Sequence, residues 1–168
     1  GAGPIGLAVL LTARFYTPSH IIMIDIDDNR LGVAKQFGAT YCINSRKEDA
    51  VRRIFELTGN TGVDVAVEAV GLPVTFELCE SIIAPGGRIA NVGVHGKPVS
   101  LHLEKLWAQN ITITTRLVDT VSTPILLKTV TAGKLQPAKL ITHRFRLSDI
   151  MNADETFGNA EREKSLKV

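Results

Sequence analysis

The first residues in the chain that could do chemistry are three glycines at its start. Gly1, Gly3 and Gly6 have the spacing G-x-G-x-x-G, and Pro4 and Ile5 stand between the second and third glycines. Glycines at this spacing let the backbone turn tightly and approach a pyrophosphate closely. The N–H groups at the start of the following helix then attract the anion. Taken alone the motif is a weak signal, because a glycine-rich turn can also simply begin a helix.

An acidic residue strengthens the dinucleotide interpretation. Asp25 follows the apolar run at residues 21–24, which predicts a strand that is buried on both faces. A carboxylate about 20 residues after the glycines can bind the ribose hydroxyls of NAD, and its charge repels the additional phosphate of NADP. We therefore predict that Asp25 binds the adenosine ribose of NAD. Arg30 either touches the same ribose or faces water.

The histidines and cysteines do not have the spacing of a metal site. Cys42 and Cys79 are far apart, and no two of the four histidines are separated by four positions. Zinc sites are typically built from closely spaced cysteines and histidines, so we expect no metal ligand in this chain. The two cysteines are predicted to be buried thiols in a reducing compartment. We assign no catalytic residue and no role to His95, because a single loop imidazole is more often solvated than catalytic.

Strand-like apolar segments alternate along the chain with segments of helical period. Strands are predicted at residues 21–25, 41–43, 63–70, 88–94 and 111–118, with helices between them. This alternation is typical of βαβ units around a parallel sheet. The fold class is therefore α/β, a doubly wound parallel sheet of the Rossmann type. Since the glycine motif normally follows a strand and this chain begins at the first glycine, we expect the sheet to lack its first strand.

Two predictions concern individual helices. Ser45 and Glu48 have the spacing of a capping box, in which each side chain binds a backbone N–H at the start of a helix. The last helix is predicted to turn Ile150, Ala153 and Phe157 towards the core.

The composition is that of a folded globular protein and excludes several classes of function. The chain has 168 residues, enough for one domain, with 45% hydrophobic and 21% charged residues. Nineteen basic and 17 acidic residues give a net charge of +2 without basic clusters, so nucleic acid is not an expected partner. The longest apolar run is far shorter than the roughly 20 residues that cross a bilayer, and no leader segment opens the chain. We expect no membrane association and a cytoplasmic location.

Further motifs follow the glycines in a fixed order. They are residues 24–27 (Ile-Asp-Ile-Asp), 34–40 (Ala-Lys-Gln-Phe-Gly-Ala-Thr), 62–64 (Gly-Val-Asp), 68–71 (Glu-Ala-Val-Gly), 85–88 (Pro-Gly-Gly-Arg), 92–94 (Val-Gly-Val) and 140–143 (Leu-Ile-Thr-His). With these motifs, nearly the whole chain resembles the cofactor domain of zinc-dependent medium-chain alcohol dehydrogenases. The resemblance implies that residues 1–168 are one dinucleotide-binding domain of a larger enzyme.

The resemblance also implies further cofactor contacts. Val70 and Gly71 would lie against the adenosine and ribose part of NAD. The backbone of Val92, Gly93 and Val94 would hold the nicotinamide carboxamide, and Leu117 would contribute from the neighbouring strand.

By the same resemblance, the function is to position the nicotinamide for hydride transfer from an alcohol, with an aldehyde or ketone as product. The catalytic zinc would be bound by a separate domain that is absent here, so this chain alone would be inactive. Residues 111–117 would form an edge strand that pairs with a second copy in a homodimer or homotetramer. Two alternatives remain open, namely a zinc-independent reductase of the quinone type and a nucleotide-binding module without chemistry.

Overall fold

A computed structural model, which describes residues 1–168, shows eight α-helices and five β-strands. The helices are α1 (Pro4–Ala13), α2 (Asp28–Gln36), α3 (Ala50–Leu57), α4 (Pro73–Ile82), α5 (Leu103–Leu106), α6 (Thr123–Thr131), α7 (Ile150–Gly158) and α8 (Ala160–Glu163). The strands are β1 (Ile22–Asp25), β2 (Tyr41–Asn44), β3 (Val63–Glu68), β4 (Ile83–Asn91) and β5 (Thr112–Thr115). Short 3-10 helices lie at Arg14–Tyr16, Trp107–Gln109, Pro137–Leu140 and Leu147–Asp149. The predicted α/β class is confirmed.

The chain divides into two compact units. The first unit contains Gly1 and residues 43–118, and the second contains residues 2–42 and 119–168. The strands form a three-stranded sheet with the order β3-β4-β5 and a two-stranded sheet of β1 and β2. The sequence analysis had expected these strands in one sheet.

The three-stranded sheet is parallel, as predicted. Glu68 at the end of β3 pairs with Asn91 at the end of β4, and Asn91 pairs with Thr115 at the end of β5. The register between β3 and β4 shifts near Val63, where β4 contains the additional residues 84–87. This insertion includes the Pro-Gly-Gly of the motif at residues 85–88. All three strands therefore end at the same edge, which is where parallel α/β sheets bind ligands.

The core of the second unit forms around the first helix. Pro4 occupies the first turn of α1, where its missing N–H costs no hydrogen bond. Leu7 and Leu10 of α1 are fully buried. They belong to an apolar cluster that also contains Ala2, Met23, Leu31, Ala34, Ala39, Leu140 and Leu166. The glycine turn is thus anchored by a helix whose inner face cannot leave the core without exposing leucine side chains.

The signals at both ends of α2 are satisfied. The side chain of Asp27 accepts a hydrogen bond from the N–H of Asn29 at 2.7 Å, as expected of an N-cap residue. Gly38 follows the helix with φ of +105°, a conformation that glycine adopts without strain. This helix therefore begins directly after the short loop, residues 26–27, that follows Asp25, and it presents Arg30 from its first turn.

Several local predictions were wrong. Asp49, and not Ser45, caps α3, because its side chain accepts the N–H of Arg52 at 3.1 Å. In α7 only Ala153 is buried, whereas Ile150 and Phe157 are both 54% exposed. Strands β3, β4 and β5 end before the predicted residues 70, 94 and 118, so Val70, residues 92–94 and Leu117 lie in loops.

The two cysteines are free thiols. Cys79 is buried, and burial, reinforced by the negative charges of Glu68 and Glu80, raises its pKa to about 12. Cys42 is only half-buried, whereas both cysteines were predicted to be buried. Among the helices, none combines the length and the apolar character that crossing a bilayer requires.

Candidate functional site

The glycine turn ends in an uncapped helix start. Gly3 is the N-cap of α1 and has no side chain to bind the first amides of the helix. Its carbonyl accepts the N–H of Leu7 at 2.9 Å, so the amides of Ile5 and Gly6 have no carbonyl partner within the helix. A Cβ built on Gly3 would meet no atom within 4 Å. The turn therefore offers backbone N–H groups beside open space, which suits an anionic ligand.

Asp25 holds this turn against the end of β1. Its side chain is almost fully buried, and Oδ2 accepts the N–H of Ala2 at 2.6 Å. Its Oδ1 accepts the amides of Ile26 at 2.8 Å and Asp27 at 3.0 Å. A carboxylate has about four lone-pair positions, so three backbone bonds leave one for a further donor. The structure thus brings Asp25 to the glycine turn and gives it a structural role that the sequence did not reveal.

A pocket opens in the first unit where β4 and β5 end. Its volume is about 240 Å³, and it is lined by Asn91, Val92, Gly93, Val94, Thr115, Arg116 and Leu117. The structure therefore brings together the four residues that were predicted to meet the nicotinamide, namely residues 92–94 and Leu117. Val92, Val94 and Leu117 expose apolar side chains here, which is the lining that flat ring systems usually need.

The backbone of the pocket offers acceptors to a ligand. The N–H groups of Val92 and Gly93 both donate to the carbonyl oxygen of Glu68, at 2.8 and 3.1 Å. These two amides are therefore occupied, and what residues 92 and 93 still present are carbonyl oxygens. A ligand group with N–H donors suits this wall better than a carboxylate does, because carbonyl oxygens and carboxylate oxygens are both acceptors.

A buried carboxylate beside the pocket organises two loops. Glu68 is 1% exposed. Its Oε1 accepts hydrogen bonds from the amides of Val70 at 2.8 Å and Gly71 at 2.9 Å, and from Oγ1 of Thr75 at 2.7 Å. Its Oε2 lies 3.1 Å from the Gly71 nitrogen and 3.3 Å from Nε2 of His95. The carboxylate thus joins the loop after β3 to the loop after β4.

Two glycines allow these loops to approach each other. Gly71 has φ of +86°, and a Cβ there would come within 2.2 Å of the carbonyl oxygen of Val94. A Cβ at Gly93 would come within 2.2 Å of Oε2 of Glu68 and 2.4 Å of the Gly71 nitrogen. Any larger residue would therefore displace backbone or carboxylate atoms at either position.

The pKa of Glu68 reflects these contacts. Burial by itself raises the pKa, since it disfavours the charged form. The hydrogen bonds from Thr75, Gly71 and Val70 and the nearby imidazole of His95 outweigh burial, so the pKa of Glu68 lies below its ordinary value of 4.5. The side chain is therefore a carboxylate at neutral pH and an acceptor for all of these donors.

The sequence analysis missed this network. Glu68 was cited only as part of a family motif, and His95 was expected to be solvated. The structure places His95 with a side chain only 16% exposed, in contact with Glu68 and with Asn91. The one signal available in the sequence was an acid, Glu68, inside the mostly apolar strand predicted at residues 63–70.

The described residues 1–168 contain no group of three or more His, Cys, Asp or Glu side chains that could hold a metal ion. The second unit contains the glycine turn with Asp25, and the first unit contains the pocket with Glu68. Both arrangements can bind and orient a ligand through backbone groups. The groups that they present to a ligand are suited to binding and positioning it.

Comparisons with known proteins give one family. Residues 4–131 match the family described as zinc-binding dehydrogenase. An alcohol dehydrogenase from Cupriavidus necator is 33% identical over 173 residues, covering 99% of this chain and 46% of that protein. The structure of zinc-dependent alcohol dehydrogenase 2 from Streptococcus pneumonia in the apo form has a TM-score of 0.96 and 52% identity, over 99% of this chain and 49% of that one.

A further solved structure contains a cofactor. It is an alcohol dehydrogenase from Escherichia coli CFT073 complexed with NADH, with 25% identity and a TM-score of 0.86 over 95% of this chain and 47% of that one. The chain spans about half the length of the curated relatives that it matches.

The close approach at Gly71 generates a prediction with an internal control. Gly71→Ala is expected to destabilise the protein by about 1–3 kcal/mol more than Gly59→Ala, because overpacking adds this amount to the cost of a left-handed alanine. Both glycines have positive φ, of +86° and +61°, but a Cβ at Gly59 would meet nothing within 4 Å. Urea unfolding of the two variants measures the difference. Equal destabilisation would show that the loops do not pack as described.

The lowered pKa of Glu68 generates a prediction about acid stability. Because the folded-state pKa lies below the ordinary value of 4.5, the stabilisation by Glu68 is present above about pH 4.5 and is lost as the pH falls through the folded-state pKa. Glu68→Gln is expected to cost about 1–3 kcal/mol at neutral pH, since an amide –NH2 would face donors. Stability should also fall less between neutral and acid pH than in the unsubstituted protein.

The matched control is Glu77→Gln, which removes an exposed carboxylate from α4. It should change neither the stability at neutral pH nor its acid dependence. Denaturant titrations across a pH series measure both quantities. An unchanged acid dependence in Glu68→Gln would contradict the assignment of the lowered pKa.

Proposed function

Because the chain belongs to the zinc-binding dehydrogenase family, we propose that it is the NAD-binding part of an NAD-dependent alcohol dehydrogenase. Its role is to bind the cofactor and to position the nicotinamide for hydride transfer from an alcohol, giving an aldehyde or a ketone. The cofactor-bound relative and the alcohol dehydrogenases among the matches support this proposal. The observation that carries it is the pocket at the carboxyl ends of β4 and β5.

The nicotinamide end of NAD suits this pocket. Val92, Val94 and Leu117 provide exposed apolar surface for the ring, and the occupied amides of Val92 and Gly93 leave carbonyl oxygens as the backbone groups on offer. The –NH2 of a carboxamide is a donor that such oxygens can bind. Val70 and Gly71 lie in the loop that Glu68 holds beside the pocket, and we assign them to contacts with the adenosine and ribose part.

The glycine turn suits the diphosphate. Gly1 belongs to the same turn. A Cβ at Gly3 would meet nothing within 4 Å, so the backbone there is accessible, and the amides of Ile5 and Gly6 lack partners within α1. Pro4 fixes the first turn of the helix from which these amides project. The lone-pair position that remains on Asp25 accepts a hydroxyl of the adenosine ribose, and Arg30, half-buried in the first turn of α2, contacts the same ribose.

When bound, NAD supplies the hydride acceptor, and the residues of this chain hold it in an orientation that lowers the entropic cost of the reaction.

The catalytic zinc is assigned to the part of the relatives' length that this chain does not span, and the chain by itself is expected to be inactive. The three relatives described above are alcohol dehydrogenases, and no observation favours a quinone-type reductase or a module without chemistry. The free thiols of Cys42 and Cys79 are those of a reducing compartment, so the cytoplasm is the proposed location.

We also propose that β5 mediates self-association. It is the outer strand of the β3-β4-β5 sheet, and Thr112, Thr114 and Thr115 are exposed along it. An unpaired strand edge is a template for another strand, and a two-fold axis would pair residues 111–117 with the same residues of a second copy.

Self-association is tested by sedimentation. The protein is expected to sediment as a dimer or tetramer, because pairing satisfies the unpaired backbone groups of β5. Analytical ultracentrifugation over a range of concentrations measures the mass. Monomers alone throughout that range would count against pairing through β5.

The choice of NAD over NADP is tested at Asp25. The protein should bind NADH more tightly than NADPH in a calorimetric titration. Asp25→Asn should weaken NADH binding by about tenfold or more, since hydrogen bonds to a charged group contribute about 1.5–3 kcal/mol. The preference for NADH should also narrow, because the repulsion of the additional phosphate is gone.

The control for this experiment is Asp64→Asn, an exposed residue of β3 that gives the same change in net charge. It should leave both affinities unchanged. Thermal unfolding of each variant separates loss of binding from loss of the hydrogen bond to Ala2. Failure of the unsubstituted protein to bind NADH would overturn the proposed function itself.

The acceptor character of the pocket generates a second test of the function. Nicotinic acid adenine dinucleotide differs from NAD only in carrying a carboxylate in place of the carboxamide. It should bind at least about tenfold more weakly, because the carboxylate presents no donor to the carbonyl oxygens of Val92 and Gly93 and places negative charge beside them. Competition of each dinucleotide with NADH, followed by fluorescence, measures the two affinities. Equal affinities would place the ring outside this pocket.

A further inference from the structure

A chain of side chains connects Glu68 to the wall of the pocket. Asn91, the last residue of β4, donates from Nδ2 to the carbonyl oxygen of Gly93 at 3.1 Å. Its Oδ1 lies 2.8 Å from Nε2 of His95. The same Nε2 is 3.3 Å from Oε2 of Glu68. The order of contacts is therefore Glu68, His95, Asn91 and then the carbonyl of Gly93, which belongs to the pocket lining.

This geometry determines the position of a proton. A carbonyl oxygen can only accept, so the Asn91 atom that faces Gly93 must be the –NH2 group. The Asn91 oxygen therefore faces His95, and Nε2 of His95 must carry a hydrogen in order to bind it. The neighbouring Glu68 carboxylate is also an acceptor, so the one N–H is shared between Oδ1 of Asn91 and Oε2 of Glu68.

The other side of the imidazole makes no polar contact. Nδ1 of His95 is buried and has no hydrogen-bond partner. The ring packs edge-on against Phe76, with centroids 6.3 Å apart and an interplanar angle of 85°. Since Nδ1 contributes no bond, all the polar contacts that orient the ring are made by Nε2. A residue that served stability alone would be expected to satisfy both nitrogens, because a buried unpaired acceptor is costly.

We propose that His95 is a positioning residue, which fixes the Asn91 amide and through it the Gly93 carbonyl, so that the pocket wall is preorganised for the nicotinamide carboxamide. This inference rests on the proposed function. His95 does not line the pocket, and its effect on the ligand passes through Asn91. Its loss should therefore weaken binding of the nicotinamide end and leave binding of the adenosine end intact.

Two ligands separate these ends. NADH carries both ends, whereas ADP-ribose carries the adenosine and diphosphate without the nicotinamide. His95→Leu removes the N–H while keeping an apolar side chain beside Phe76, and it should weaken NADH by about tenfold, the effect of one misplaced hydrogen bond. The affinity for ADP-ribose should be unchanged. His95→Gln can place an amide N–H near the position of Nε2 and should restore most of the affinity for NADH.

The matched control is His102→Leu. His102 also lies beside a carboxylate, with Nδ1 3.0 Å from Oε1 of Glu104, but the two side chains are 37% and 66% exposed, and neither lines the pocket. This variant should bind both ligands as the unsubstituted protein does. If His95→Leu weakened both ligands equally or neither, or if Gln failed to rescue NADH binding, the positioning role would be overturned.

A measurement on the unsubstituted protein covers the case in which His95→Leu does not fold. In protein labelled with 15N-histidine, the His95 resonances should show hydrogen on Nε2, and they should shift on addition of NADH but not of ADP-ribose. Hydrogen on Nδ1 alone, or equal shifts with both ligands, would overturn the proposal. If the unsubstituted protein bound neither ligand, the proposed function would fail first, and the two failures are thereby distinguishable.

Discussion

Two carboxylates occupy the same position on two different strands. Asp25 is the last residue of β1, Glu68 is the last residue of β3, and both are almost fully buried. A buried carboxylate is stable only when several donors surround it, because the lost hydration must be replaced. In both cases the main donors are backbone N–H groups of the turn or loop nearby. These segments cannot move away from the strand ends without leaving a buried charge unsatisfied.

This constraint explains where glycine is needed. Glu68 binds the loops after β3 and β4 to each other. The backbone of Gly71 therefore lies close to the carbonyl of Val94, and Gly93 lies close to the carboxylate. At these distances no Cβ fits, so the identity of both residues follows from the position of one charge. At the other carboxylate, the N–H of Ala2 that binds Asp25 belongs to the turn whose neighbouring glycine, Gly3, leaves open space for a ligand.

The way in which this chain can hold a ligand follows from the same features. The groups that it presents are backbone amides, backbone carbonyls and apolar side chains, which are suited to holding a large ligand in one orientation. Membership of the zinc-binding dehydrogenase family and the NADH bound to a related protein of known structure support the proposal that this ligand is NAD. The preorganised loops mean that little ordering remains to be done when the ligand arrives, which favours affinity.

The sequence was enough to predict the α/β class, the glycine turn at residues 1–6, the position of Asp25 at the end of the next strand, and the family. These features depend on local spacing and on the period of apolar residues. The grouping of residues 92–94 with Leu117 in one pocket was also anticipated, through the resemblance. Three features could be seen only in the folded structure: Asp49 caps α3, Ile150 and Phe157 are exposed, and His95 is buried against Glu68. Those features depend on contacts between residues far apart in the chain and on competition between nearby polar side chains for the same amides. Neither can be predicted from a local sequence pattern.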